Sequence, residues 1–289
     1  RLTVLNRDSN NHRIKKKKIN LIKADYNKFT KLNIIQNCDK EYDFVINFNV
    51  FNKQDALKDI EFFKDLTKKY FFISSTAIYD DVELINENSK KNTNWKYAEN
   101  KIICENIFMN EFEKSEFPVT IIRPSHTVNK FTFPTHIQGL GFGLYSIAQS
   151  INKIYTFNKD NNYWSFISSN DFAKILYNIL NNSSTLGSDF NVVNEDHFLW
   201  SDYFEELKFL FDFKFTTINQ NYKFFEELGK SIYDSIIYDK IRNRVFDTNK
   251  LNKFRVNINN KMNYKEIMLK SYKWSLENTS SDKIRYNKE

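Results

Sequence analysis

Tyr97 and Lys101 stand four residues apart in the segment Tyr97-Ala98-Glu99-Asn100-Lys101. On a helix this spacing puts both side chains on one face. A cation beside a phenol favours the phenolate and draws its ordinary pKa of about 10 toward the working range. Tyr97 so placed is a competent general acid or base. One loop upstream, an apolar run ends in Ser74-Ser75-Thr76. At the end of a buried strand the Ser75 hydroxyl can donate a hydrogen bond to a substrate oxygen while Tyr97 exchanges its proton. Serine, tyrosine and lysine converging on a carbonyl or carbinol are the protein groups that hydride transfer with a nicotinamide needs. The spacing by itself is not specific: Tyr155 and Lys159 repeat it beside Asn158, Asp160, Asn161 and Asn162, in a turn-like setting that reads as chance.

The other reactive side chains form no comparable set. His12, His126, His136 and His197 are scattered without metal-ligand spacing, so no metal site is expected. Two cysteines, Cys38 and Cys104, exclude a disulfide scaffold and fit a reducing compartment, and Cys104 reads as buried filler. The run Lys15-Lys16-Lys17-Lys18 reads as a solvated loop. Trp164, Phe166, Phe209, Phe211 and Phe213 read as core rather than as a stacking platform for bases.

The elements that position these residues follow from periodicity. Residues 1–6, 19–23, 44–48, 70–75 and 119–122 are short apolar runs that read as strands. Residues 27–37 read as helix, as do 53–68, with Ala56, Ile60, Phe63 and Leu66 at helical spacing. Residues 96–114 read as a helix whose apolar face is Ile102, Ile103, Ile107 and Phe108. Fully apolar strands alternating with helices are strands buried on both faces, hence a doubly wound parallel α/β sheet. Such sheets bind ligands at their carboxyl ends, here Asn6-Arg7, Ala24-Asp25, Phe48-Asn49, Ser74-Ser75-Thr76 and Arg123-Pro124. A helix over 171–180 is expected with Asn170 or Asp171 as its cap, then a strand near 189–193. From Trp200 the pattern is mainly helical, and 278–289 is a polar tail that frays.

The order strand, Ser74-Ser75-Thr76-Ala77-Ile78-Tyr79, loop, Tyr97-Ala98-Glu99-Asn100-Lys101, helix, Val119-Thr120-Ile121-Ile122-Arg123-Pro124 resembles the short-chain dehydrogenase/reductase superfamily. Within it the chain is most similar to the extended and atypical branch, the NAD-dependent epimerase/dehydratase family. The similarity continues through Ala24-Asp25, Asp43-Phe44-Val45-Ile46-Asn47, Ser168-Ser169-Asn170-Asp171-Phe172-Ala173 and Gly187 with Phe190-Asn191-Val192. It implies a Rossmann-like NAD(P)-binding domain over 1–168, completed by the strand near 189–193. A smaller mixed, mainly helical substrate lobe over 169–289, with parts of 125–165, would follow. It implies Tyr97 as catalytic acid/base, Lys101 lowering its pKa and holding the nicotinamide ribose, and Ser75 as the catalytic hydroxyl with Thr76 beside it. Asp25 then meets the adenine ring, Asn47 lies at the cofactor, and Arg123, Ser125 and His126 lie on the substrate side.

Two departures bear on the cofactor. The family opens with a strand and a Gly-rich turn that cradles the pyrophosphate at a helix N-terminus, whereas this sequence starts at Arg1 on what resembles the family's second strand. Gly139, Gly141 and Gly143 lie too far downstream to be that turn, and the expectation is a start not included in this sequence. At the ribose 2′-OH position the chain carries Asn6 followed by Arg7 rather than an acidic residue, which favours NADP over NAD. Dehydratases of the family resemble Thr-Asp-Glu where this chain has Ser75-Thr76-Ala77, which favours reduction or epimerisation over dehydration.

Composition bounds the remaining choices. Hydrophobic residues make up 41% and aromatics 17%, which excludes global disorder. No apolar run approaches the roughly 20 residues of a membrane span, and no signal peptide opens the chain, so a cytoplasmic protein is expected. A net charge of +7 suits anionic ligands. A nucleotide sugar is the expected substrate, and a homodimer packed through the Tyr-x-x-x-Lys helix is the expected assembly. Two other readings stay open: an RNA-binding protein on an atypical version of this fold, and a non-catalytic NADP-sensing or scaffold descendant. No RNA-binding motif supports the first, and the intact Tyr97–Lys101 pair argues against the second.

Overall fold

A computed structural model describes residues 2–7, 19–28, 41–131, 133–137, 150–157, 161–211, 216–254 and 261–278, with 141, 143 and 148 between them. The lysine run 15–18, most of the expected helix 27–37, and the tail beyond 278 lie outside the described residues, as do His12, Cys38, Lys159 and Phe213. The central element is a parallel sheet of β3 (Val45–Asn47), β4 (Tyr70–Ile73), β5 (Val119–Pro124) and β10 (Asp189–Val192), in the order β10-β5-β4-β3. Strands β1 (Leu2–Asn6) and β2 (Ile19–Lys23) form a separate parallel pair. Among the described residues no ladder joins that pair to β3.

Strand alternation explains why the sheet is covered on both faces. Tyr70 and Phe72 of β4, with Val119 and Ile121 of β5, enter one core, which helix α1 (Lys53–Phe63) and helix α2 (Lys96–Ser115) close through Ala56, Ile60, Cys104 and Phe108. Leu5, Ile22 and Ala24 pack against the same core, so the β1–β2 pair shares it. Phe71, Ile73 and Ile122 point the other way, into a core closed by Phe172, Ile175 and Ile179 of helix α3 (Ser169–Leu180). The doubly wound α/β architecture is therefore present. A third, aromatic-rich core joins Val128 of β6 (His126–Val128), Phe157 of β7 (Lys153–Phe157), Trp164 of β8 (Tyr163–Trp164) and Phe166 of β9 (Phe166–Ser168). Trp200, Tyr203 and Phe204 of α4 (Trp200–Phe211) and Met268 of the helix Tyr264–Asn278 complete it.

Several sequence expectations shift. Helix α1 stops at Phe63, five residues short of the expected end, and is capped by Asn52, whose side chain accepts from the Asp55 amide at 3.0 Å. Helix α3 is capped by Ser168 rather than by Asn170 or Asp171, because the Ser168 Oγ takes the Asp171 amide at 3.0 Å. Phe209 is not core: it is 79% exposed. On α2 the buried face is Ala98, Lys101, Cys104, Glu105 and Phe108, not the isoleucines. Two ionisable groups can replace aliphatic ones on a buried face only when each finds partners, and both do, as described below.

Asp59 shows how tightly the first core is specified. Its carboxylate accepts from the phenols of Tyr26 and Tyr70 and from the Asn47 Nδ2 at 2.6 Å. The Asn47 Oδ1 takes the Asn49 amide at 2.8 Å, so each end of this side chain makes a bond within the fold. Burial pushes the Asp59 carboxyl up from 3.8 to about 7, with the Tyr70 hydrogen bond pulling it back. A carboxyl with a raised folded pKa takes up its proton earlier in the native than in the unfolded state. The native state therefore gains stability as pH falls from about 7 toward 4, and that gain is gone once pH rises through 7. Asp59→Asn removes the titration. In urea denaturation the wild type should gain roughly 2–4 kcal/mol over this variant between pH 7 and 4.5; a pH-independent difference contradicts the assignment.

Candidate active site

The site is built where β4 and β5 end. After Ile73 the chain turns sharply through residues 76–78, and Ser75 caps this turn, its Oγ accepting from the Ala77 amide at 3.1 Å. The following loop returns to Trp95, and α2 begins with Tyr97 in its first turn. Trp95 packs on Tyr97, ring centroids 5.0 Å apart. Ser75, Thr76, Tyr97, Ser125 and His126 all line one cavity of about 850 Å³ at the carboxyl ends of the strands. Five residues chosen from separated segments of sequence thus meet at one surface.

Electrostatics differ from the expected picture. Burial pushes the Tyr97 phenol upward, opposed by a hydrogen bond with Ser75 and reinforced by the Asp239 charge. Lys101 does not draw it down. Its ammonium is 2% exposed and donates to the Val50 carbonyl at 2.7 Å and the Ile73 carbonyl at 2.9 Å. It stitches α2 to the end of β4 and the loop after β3, and lies over the rings of Phe51 and Phe72. Burial lowers it to about 8. The physical reason is local: one loop carbonyl and one strand-end carbonyl hold the ammonium, so desolvation governs the phenol.

Arg123 is likewise not a ligand anchor. It is 1% exposed, pairs bidentately with Glu105 at 2.8 and 2.9 Å, and donates to the Tyr79 hydroxyl at 2.7 Å. It also meets Asp189 at 2.7 Å. Glu105 in turn accepts from Ser74 at 2.6 Å and Lys91 at 2.9 Å. Burial pushes the Glu105 carboxyl up, but Arg123 and Lys91 outweigh it and hold the group below its usual range. Thr76 is also tied inward, donating to the Pro124 carbonyl at 3.2 Å. Cys104 is fully buried, and its thiol is pushed up to about 12 by that burial.

A second part of the lining was not legible in the sequence. It carries Trp164 of β8 and three charged residues, Asp239, Lys240 and Arg244, from a segment of no recognisable motif. Residues 236–240 form a π-helix after the short helix Lys230–Ser235, a wide turn of the kind concentrated at functional sites. Tyr238 in that turn stacks on Trp95, so the wall is fastened to the start of α2. Lys240 Nζ lies 2.9 Å from His126 Nδ1. Burial, with the Lys240 charge, pushes His126 well below 6.5, which keeps the imidazole neutral. Among the described residues no group of three His, Cys, Asp or Glu could hold a metal ion, and no helix is long and apolar enough to cross a membrane.

A family model described as "NAD dependent epimerase/dehydratase family" matches residues 1–192. The chain belongs to this family. Solved structures with the same fold include a UDP-N-acetylglucosamine 4-epimerase from Methanobrevibacter ruminantium M1 in complex with UDP-N-acetylmuramic acid (TM-score 0.72, 14% identity, 96% of this chain and 91% of that one). A dTDP-glucose 4,6-dehydratase from Bacillus anthracis in complex with NAD has a TM-score of 0.66 at 13% identity, over 91% of this chain and 82% of that one. RMD from Pseudomonas aeruginosa, complexed with NADPH, has a TM-score of 0.66 at 14% identity, over 90% and 91%. No curated protein matches the chain.

Membership in the NAD-dependent epimerase/dehydratase family raises the question of where a dinucleotide would lie. The nicotinamide-ribose end fits the residues present. Ser75 and Tyr97 line the cavity, and Lys101 spends two of its three N–H donors on carbonyls. The pyrophosphate end needs backbone amides that only glycine lets a phosphate approach, and the first glycine of this sequence is Gly139. Asn6 ends β1 and Arg7 follows it, exposed; Asp25 lies just after β2, close enough to Lys58 to act on its charge.

The Arg123–Glu105 pair makes a stability prediction. Removing the Glu105 charge leaves the buried Arg123 with Asp189 as its remaining carboxylate and leaves its bidentate partner neutral; breaking a buried pair costs about 3–5 kcal/mol. Glu105→Gln should lose that much in denaturant unfolding at pH 7; a loss below about 1 kcal/mol contradicts the role given to this network.

Proposed function

We propose that this family member is an NAD(P)-dependent oxidoreductase or epimerase acting by hydride transfer on a nucleotide sugar or a related alcohol or carbonyl. One observation carries the reading: Tyr97 and Ser75, from separate segments of the sequence, line the same cavity at the carboxyl ends of parallel strands, with Ser75 near enough to act on the Tyr97 phenol. Hydride acceptance or return is the chemistry a bound nicotinamide supplies there. The chain's own residues handle the proton. With its pKa raised by burial, the phenol is protonated at neutral pH and is ready to donate to a carbonyl oxygen. Ser75 supplies a second hydrogen bond to that oxygen. Lys101, held by two carbonyls, keeps α2 and the end of β4 in register, so that Tyr97 and Ser75 face the same atom. The family, and the nucleotide-sugar and dinucleotide ligands of the similar structures, support the substrate class.

The preferred cofactor is NADP. No acidic residue ends β1; Asn6 does, followed by the exposed Arg7, a cation suited to a 2′-phosphate.

Two experiments test this reading on the full chain with NADH and NADPH and a panel of UDP-glucose, UDP-N-acetylglucosamine and dTDP-glucose. Tyr97→Phe should leave dinucleotide affinity within about twofold and cut turnover by roughly 10²–10⁴. Undiminished turnover, or no binding of either dinucleotide by the wild type, overturns the function. Arg7→Ala should weaken NADPH about tenfold and leave NADH unchanged, as expected for loss of one charge-assisted contact. Equal effects on both remove the NADP preference.

A further inference from the structure

The cavity's charged groups are almost all paired within the protein. Lys96 meets Glu99 at 2.7 Å, Lys230 meets Asp234 at 3.2 Å, and Arg244 meets Asp239 at 3.0 Å. Among the described cavity-lining residues this leaves Lys240 as the cation without a carboxylate. It is 3% exposed, and its ammonium has two contacts: His126 Nδ1 at 2.9 Å and the face of Trp164 at 4.0 Å. Neither is an anion, because His126 is neutral, and one hydrogen bond leaves two N–H donors unused.

Two more buried donors on the same wall lack partners. Ser125 Oγ and Trp164 Nε1 are buried without a hydrogen bond, and both residues line the cavity with Lys240. Buried polar groups are satisfied as a rule, and an uncompensated buried cation is costlier still. Here an ammonium with spare donors, a hydroxyl and an indole N–H without partners are buried on residues that line one cavity. Their backbone is held independently of any ligand. The Lys240 carbonyl accepts from Asn162 Nδ2 and Trp200 Nε1, both at 2.9 Å, and the π-turn places Asp239 and Lys240 consecutively on the cavity wall.

We propose that Lys240, Ser125 and Trp164 form a recognition point for an anionic oxygen group of the substrate, a carboxylate or a phosphate. His126 orients the ammonium and is a positioning residue. This inference deepens the reading of the cavity as a substrate site and rests on it. The shared chemistry is an ammonium and two neutral donors on the lining of one cavity, buried from water, where a contact to an anionic oxygen is strengthened. A neutral ligand group would leave the charge uncompensated. The site therefore selects for substrates that carry an anion at this position.

Calorimetry on the full chain tests it, with pyrophosphate, UDP, UDP-glucose and UDP-glucuronate as probes. Lys240→Met should weaken the probe that reaches the site about 10- to 100-fold, Lys240→Arg should restore most of the affinity, and Ser125→Ala should cost several-fold. A loss confined to UDP-glucuronate assigns the sugar carboxylate; an equal loss for pyrophosphate, UDP and both sugars assigns the phosphate. Both support the inference. Unchanged affinity of Lys240→Met and Ser125→Ala for every probe overturns it, as does failure of all four to bind the wild type. If Lys240→Met does not fold, Ser125→Ala and Lys240→Arg carry the comparison. Dinucleotide binding, measured in parallel, separates the two readings: a Lys240-dependent anion site without NADH or NADPH binding keeps this inference and removes the oxidoreductase.

Discussion

The buried pair of Arg123 and Glu105 is the interaction on which the site rests. Glu105 projects from α2, Arg123 ends β5, and Asp189 opens β10. Through Ser74, Lys91 and Tyr79 the same cluster reaches the end of β4 and the loop that leads into α2. A wholly apolar core would hold these elements together but would fix their relative position less sharply. The bidentate guanidinium–carboxylate geometry allows little sliding of α2 along the sheet. Lys101 adds a second staple one turn earlier on the same helix. Between them they set the height of Tyr97 above Ser75.

That scaffold serves a cavity whose two walls have different chemistry. The sheet side presents hydroxyls, with a phenol kept neutral by burial. A second part of the lining presents the ammonium of Lys240, which has no carboxylate partner, on a π-turn braced against Trp95 by Tyr238. The first wall suits proton exchange with a substrate oxygen. The second suits holding a substrate that bears negative charge. A nucleotide sugar has both features, which is why the two walls support one reading.

The sheet was legible from sequence because its strands alternate between two cores: Tyr70 and Phe72 fill one, Phe71 and Ile73 the other. Ser75 and Tyr97 were legible because a strand end and a helix start place them by local rules. The roles of Lys101 and Arg123 were not. Their residue types suggested ligand contacts, yet two backbone carbonyls and Glu105 claim both. The isoleucine face expected for α2 failed for the same reason, since partner groups far away in sequence made Lys101 and Glu105 the better-buried residues. Lys240 gave no signal at all. Its neighbours His126 and Trp164 lie well over fifty residues upstream, and only the fold brings them together.

The most direct test of the central claim is a crystal structure of the chain with a bound nucleotide sugar. The account predicts one sugar oxygen within about 3.2 Å of both the Tyr97 phenol and the Ser75 hydroxyl. A sugar seated in the cavity with neither group in reach, or bound outside it, contradicts the account.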